Sequence, residues 1–183
     1  MDKDPDEALV RACTNGDLAA FEILLTRYER PIYNVAMRML KHPDDARDVT
    51  QTVFLRVFEK LHQFDFNHRF YSWIYRIAIN ESLDFFNRRS RLAPLDEEEE
   101  AADADSNPQQ ACHSAELGAG VQAAMMHLSP DYRAVIVLRH FVDCSYRDMA
   151  VILGIPEKTV KSRLFTARQL LREQLEAAGM GEL

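Results

Sequence analysis

In MAVILGIPEKTVKSRLFTAR, residues 149–168, Lys158, Thr159, Lys161, Ser162, Phe165, Thr166 and Arg168 fall outside an apolar seam of Val160, Leu164 and Leu171, and Arg163 adds another cation. Ammonium, guanidinium and hydroxyl groups so spaced are suited to hydrogen-bonding bases and phosphates. A second set lies in FDFNHRFYSWIYRIAINESLDFFNRRSR, residues 64–91. Helical spacing puts Arg76, Asn80, Asp84, Asn87, Arg88 and Arg91 on one face. Ahead of it Phe64, Phe66, Phe70, Tyr71, Trp73 and Tyr75 interleave with His68, Arg69 and Arg76, a mixture suited to stacking on unpaired bases and holding their phosphates. Some of these aromatics can equally be core, but a loop containing Asp65, Asn67 and His68 is too polar to be core alone.

The first set needs two helices crossing at a steep angle through a very short turn. That requires a small residue at the contact and one tolerant of positive φ at the turn, and Ala150, Gly154 and Val160 have the spacing of a helix-turn-helix. Ser145 with Asp148 makes a capping-box-like start for the first of these helices, and Gly154 ends it. Upstream, Ser129-Pro130-Asp131 reads as a helix start with a capping serine, continued by YRAVIVLRHF.

The second set is expected on a helix from about Tyr71 to Arg91, after the loop HQFDFNHRF. Before it, Leu18, Phe21, Leu24, Leu25 and Tyr28 recur at helical steps behind an N-cap at Asp17. After a break at His42-Pro43-Asp44, Ala46, Val49, Val53, Phe54, Val57, Phe58 and Leu61 make another apolar stripe. No stretch has the alternation and turn chemistry of a hairpin, so the expected fold is all-α.

The formal charge of −7 is local. Residues 93–118 hold eight acids and no Lys or Arg, with Pro94, Ser106, Asn107 and Pro108, the composition of a solvated linker; the rest of the chain carries 21 acids against 22 bases. Two small helical domains, 1–92 and 119–178, joined by a flexible acidic linker over 93–118, are therefore expected. Residues 129–176 carry eight bases against six acids, a surplus that predicts weak DNA binding by this module alone.

Cys13, Cys112 and Cys144 are odd in number and far apart, which suits reduced thiols in a cytosol. No run is apolar enough to span a bilayer, and MDKDPDE is unlike a signal peptide, so a cytoplasmic location is expected. Cys112-His113 lacks ligand-pair spacing, and no metal or cofactor is expected. With no phosphate-binding Gly-rich loop, zinc spacing or nucleophile motif, an enzyme is not expected. A ligand-responsive helix-turn-helix activator is the competing class; its first half would need an apolar pocket rather than an aromatic and cationic external face.

DDARDVTQTVFLRVFEKLHQFD, FYSWIYRIAINESLDFFNRR and LSPDYRAVIVLRHFVDCSYRDMAVILGIPEKTVKSRLFTARQLLRE resemble regions 2 and 4 of bacterial sigma factors of the extracytoplasmic-function group, in the right order, with a variable linker between. The resemblance implies that the helix over 44–61 docks on core RNA polymerase through Asp48, Gln51, Phe54 and Leu55. It implies that Asn67, His68, Arg69, Tyr71, Arg76, Asn80, Asp84, Asn87 and Arg88 open and read the minus-ten element. Lys158, Thr159, Lys161, Ser162, Arg163, Phe165, Thr166 and Arg168 would then read the minus-thirty-five element in the major groove, with Thr166 standing where relatives commonly carry a basic residue. The implied partners are core polymerase, promoter DNA and an anti-sigma factor, soluble or membrane-anchored, with no small-molecule substrate and a monomeric free chain. Two weak DNA readers on one tether gain from effective concentration once both sit on polymerase, so neither needs strong charge.

Overall fold

A computed structural model describes residues 6–92 and 112–180. Eight α-helices, and no strand among the described residues, run in the order α1 (Glu7–Thr14), α2 (Leu18–Leu40), α3 (Pro43–Lys60), α4 (Phe70–Leu92), α5 (Cys112–Met126), α6 (Pro130–Ile136), α7 (Tyr146–Leu153) and α8 (Glu157–Ala177). A 3-10 turn, Leu61–Gln63, follows α3, and a π-helical turn, Val137–Phe141, follows α6.

The helix ends follow their sequence signals. Asp17 accepts from the Ala20 amide at 3.1 Å to start α2, and Pro43 sits in the first turn of α3 behind His42. α2 continues through Pro31, which leaves the Arg27 carbonyl without its usual helical donor. At α7, Ser145 Oγ accepts from the Asp148 amide at 3.1 Å and donates to the Asp148 carboxylate at 2.6 Å. The helix stops at Gly154, whose φ of 65° is left-handed, as the tight turn into α8 demands.

α2, α3 and α4 pack Leu24, Ile32, Val53, Val57, Phe70 and Ile74 into one core; α6 with the π-turn after it, α7 and α8 pack Val135, Leu138, Met149, Ile152, Val160 and Leu164 into another, and the two are continuous. Truncating a fully buried residue such as Ile74 or Leu164 to alanine costs about 2–5 kcal/mol.

Several expectations are corrected. Ser129 occupies the N-cap of α6, but its side chain makes no capping hydrogen bond; Pro130 and Asp131 carry that helix start. The helix through YRAVIVLRHF does not continue regularly but widens into the π-turn at 137–141. Residues 112–118 of the expected linker belong to α5, where the composition has changed from acidic and Pro-bearing to alanine-rich. Its remainder, 93–111, lies outside the described residues. Arg133, counted among the bases of the second half, is 1 % exposed. It donates to the carbonyls of Met125, Met126 and Leu128 at the end of α5 (3.1, 2.9 and 3.1 Å) and to that of Met39 near the end of α2. Burial lowers its pKa to about 10, so it stays charged at neutral pH, but as an internal brace between the halves rather than a DNA-facing cation.

Candidate nucleic-acid interface

Val160, Leu164 and Ala167 bury one stripe of α8. That rotation turns Lys158, Lys161, Ser162 and Phe165 to solvent and leaves Thr159 and Thr166 half-buried at the edges. Phe165 is 64 % exposed, an unusual position for a large apolar ring unless something covers it. Lys161 Nζ lies 2.7 Å from Glu157, whose hydrogen bond and charge raise the lysine pKa and keep it cationic.

Two of the candidate cations of α8 are engaged elsewhere. Arg163 pairs with Asp131 at 3.2 Å, bracing α8 against the start of α6. Arg168 donates from Nε to Nε2 of His140 at 3.2 Å. Partial burial, and then the charges of Arg168 and Arg139, lower the His140 pKa, which keeps the ring neutral and able to accept.

In the first half, the loop between Phe64 and Phe70 is shaped by Asp65. Its Oδ1 accepts from the amide and the Nδ2 of Asn67 at 2.9 and 2.8 Å, and its carbonyl accepts from the His68 amide at 3.0 Å. Asn67, His68 and Arg69 are consequently held at the surface. Along α4, Asn80, Asp84, Asn87 and Arg88 form an exposed row, with Arg88 Nε donating to the Asp84 carbonyl at 3.3 Å.

The aromatic group divides. Phe64, Phe70 and Tyr75 are buried, Tyr71 and Trp73 half-buried, and Phe66 is 37 % exposed. Tyr71 and Arg76 meet the second half of the chain, Arg76 while remaining exposed. The Tyr71 hydroxyl lies 3.2 Å from Cys144 Sγ, and Arg76 donates to the carbonyls of Val151 and Ile152 at the end of α7. Burial raises the pKa of both partners, Cys144 to about 11, so that contact is between neutral groups at pH 7.

On α3, Asp48, Gln51 and Leu55 are exposed, Leu55 to 64 %. Phe54 is corrected: at 9 % exposure it faces the core, because it continues the row of Ala46 and Thr50 that packs inward. The surface aromatic is Phe58, 56 % exposed, stacked edge-on against Phe21 of α2 at 5.3 Å, with Leu18 a turn earlier on α2 also 64 % exposed. Sequence periodicity placed Phe58 in the buried stripe, although Gln51, Leu55 and Phe58 share i, i+4, i+7 spacing, the signal for one outward face. Beside them Arg56 Nε binds Glu81 Oε1 at 2.5 Å, while the buried Oε2 of Glu81 has no partner among the described residues.

Among the described residues no group of three or more His, Cys, Asp or Glu side chains could hold a metal ion, and no helix is long and apolar enough to cross a membrane.

Comparison with known proteins gives two family matches, Sigma-70 region 2 over residues 24–92 and Sigma-70, region 4 over residues 119–171. The RNA polymerase sigma-H factor of Pseudomonas aeruginosa is 31% identical over 187 aligned residues, covering 96% of each chain. The ECF RNA polymerase sigma factor SigW of Bacillus subtilis is 33% identical, covering 91% of this chain and 94% of its own. The solved structure of CnrH in complex with the cytosolic domain of CnrY superposes with a TM-score of 0.73 at 26% identity, covering 94% of this chain and 97% of that one. The sigma factor RpoE of Bartonella quintana, solved in complex with the anti-sigma factor NepR, shares the fold with a TM-score of 0.65 at 24% identity, covering 85% of this chain and 96% of that one.

Proposed function

The chain belongs to the sigma-70 family, in its extracytoplasmic-function group, and from that premise we propose how its surfaces divide the work of initiation. It binds core RNA polymerase, directs initiation at specific promoters and is controlled by an anti-sigma factor. It does this without chemistry of its own, as a cytoplasmic protein that is monomeric when free.

The first domain, residues 1–92, carries two roles. Asp48, Gln51 and Leu55 on α3 dock on the polymerase, joined by Phe58 in place of the inward-facing Phe54. Asn67, His68 and Arg69 of the loop, with Asn80, Asp84, Asn87 and Arg88 on α4, take the minus-ten strand. An extruded base is read there by hydrogen bonds in a small pocket while cations hold its phosphates. The second domain, residues 119–178, lays α8 in the major groove of the minus-thirty-five element through Lys158, Thr159, Lys161, Ser162, Phe165 and Thr166. Arg163 and Arg168 act mainly as braces in the free chain. Tyr71 and Arg76 join the minus-ten surface only when the halves separate. The segment between α4 and α5 connects the two readers.

The observation that carries this division is the coincidence of an exposed polar row on α4 and an exposed polar face on α8 with the two matched regions, in order along one chain. The competing ligand-responsive activator would not replace a sigma subunit. Added to core polymerase without another sigma subunit, this protein should support initiation from a cognate promoter, with Asn80→Ala altering base preference at the minus-ten element while polymerase binding survives. Unchanged preference in that variant and in Asn67→Ala would remove the base-reading role from this loop and helix.

A further inference from the structure

Phe66, at the tip of the loop that carries Asn67, His68 and Arg69, is held from outside the loop. The Arg11 guanidinium lies over its ring at 4.1 Å from the centroid. Arg11 is itself fixed, because both Nε and Nη2 donate to one carboxylate oxygen of Glu7, at 3.0 and 2.8 Å. α1, which carries both residues, is anchored to the first domain by fully buried Val10. It is anchored again by Asp6, which accepts from the Tyr28 hydroxyl at 2.5 Å and pairs with Arg27. On its other side Phe66 meets Phe64 edge-on at 5.1 Å, and Phe64 in turn meets Trp73 at 5.3 Å and Phe70 at 6.0 Å. The loop tip is thus gripped between a guanidinium from α1 and an aromatic cluster at the head of α4.

We propose that Arg11 is a positioning residue of the base-reading loop: by clamping Phe66 it fixes where Asn67, His68 and Arg69 stand, and so sharpens base discrimination at the minus-ten element. The inference rests on the base-reading role given above to that loop. The loop's own hydrogen bonds are local, from Asn67 and His68 back to Asp65, so they shape the turn without fixing its orientation on the domain. Phe66 supplies that orientation, and its ring is still 37 % exposed, so the aromatic cluster alone does not immobilise it. A cation over a partly solvated ring contributes modestly, enough to bias a loop between orientations but too little to decide whether the domain folds. Its loss should therefore appear in specificity before stability.

The test uses holoenzyme reconstituted with the full chain and promoter DNA bearing each of the four bases in turn at the minus-ten positions. Arg11→Ala should lower the ratio of affinities for the preferred and next-best base by roughly two- to fivefold, at the same position at which Asn67→Ala alters preference. Melting temperature should be unchanged, and Arg11→Lys, which keeps a cation over the ring, should restore most of the ratio. The proposal is overturned if Arg11→Ala leaves the ratio intact while Asn67→Ala changes it. It is also overturned if Arg11→Ala weakens all four bases equally, the mark of a plain phosphate contact. If neither variant changes preference at any position, the loop does not read bases, and the positioning role falls with that reading.

Discussion

Arg76 on α4 donates to the main-chain carbonyl of Val151 on α7 at 2.5 Å, joining α4 of the first matched region to the end of α7 in the second. Its Nε also points to the Ile152 carbonyl at 3.4 Å, so a cation sits on the negative end of the α7 dipole. Arg38 on α2 reinforces the contact between the halves, lying over Phe141 at 4.2 Å and donating to Gln122 at 3.1 Å. The Nε and Nη2 donors engaged with α7 are withheld from a DNA phosphate until the contact opens.

The halves should therefore separate when promoter DNA is engaged. Spin labels on exposed Glu59 of α3 and Gln169 of α8 should report one short distance in the free chain and a longer one in holoenzyme bound to promoter DNA. Arg76→Ala should broaden the free-chain distribution. An unchanged distance in the bound state would mean that Tyr71 and Arg76 stay on the second domain and have no part in reading DNA.

Arg163 and Lys161 should respond differently to alanine. Lys161→Ala should weaken binding to the minus-thirty-five element and lower the salt dependence by about one ion, with stability little changed because alanine is a good helix former. Arg163→Ala should instead lower stability by about 0.2–1 kcal/mol, the range for an ion pair with one exposed partner. Equal salt slopes for Lys161→Ala and the unaltered chain would remove Lys161 from the phosphate contacts.

Leu55→Ser and Phe58→Ser should each reduce affinity for core polymerase while leaving the melting temperature within a few degrees, since both rings and chains are already more than half exposed. Phe54→Ser should do the reverse, unfolding the domain before its docking can be judged. Wild-type polymerase affinity in Leu55→Ser/Phe58→Ser would place the docking face elsewhere.

Periodicity places Phe54 in the buried stripe, where it lies, and only the family resemblance drew it to the docking face; the pattern itself errs at Phe58, for a physical reason. A stripe of seven apolar residues over 16 positions is wider than the surface α3 can bury, and periodicity does not say which edge stays outside. Local signals read correctly: the caps at Asp17 and Ser145, the stop at Gly154 and the seam of Val160 and Leu164 all involve residues within a turn or two of one another. What escaped were contacts between distant segments, namely Arg163 with Asp131 across 32 residues, Arg133 with Met39 across 94 and Arg76 with Val151 across 75. Each diverts a cation that composition alone assigns to the surface. The exposed polar rows of α4 and α8 themselves were legible, because polar residues at helical spacing need no tertiary information.

Acid should loosen Arg168. His140 has a lowered pKa, so the folded chain prefers the neutral ring, and that preference contributes stability above the ordinary histidine value near 6.5 which is lost as pH falls below it. Protonation also removes the acceptor for Arg168 and puts a third positive charge beside Arg139 and Arg168. Between pH 7.5 and 5.5 the melting temperature should fall less in His140→Gln than in the unaltered chain. Identical pH profiles would show that this histidine does not couple to folding.

The central claim is tested most directly by transcription from purified components: core polymerase, this chain and a library of genomic promoter fragments, with no other sigma subunit present. Initiation should start at a discrete subset of fragments that share one upstream and one downstream element, and that subset should shift with Asn67→Ala and shrink with Lys161→Ala. Failure to initiate on any fragment, with core polymerase proven active by a different sigma factor, would contradict the account.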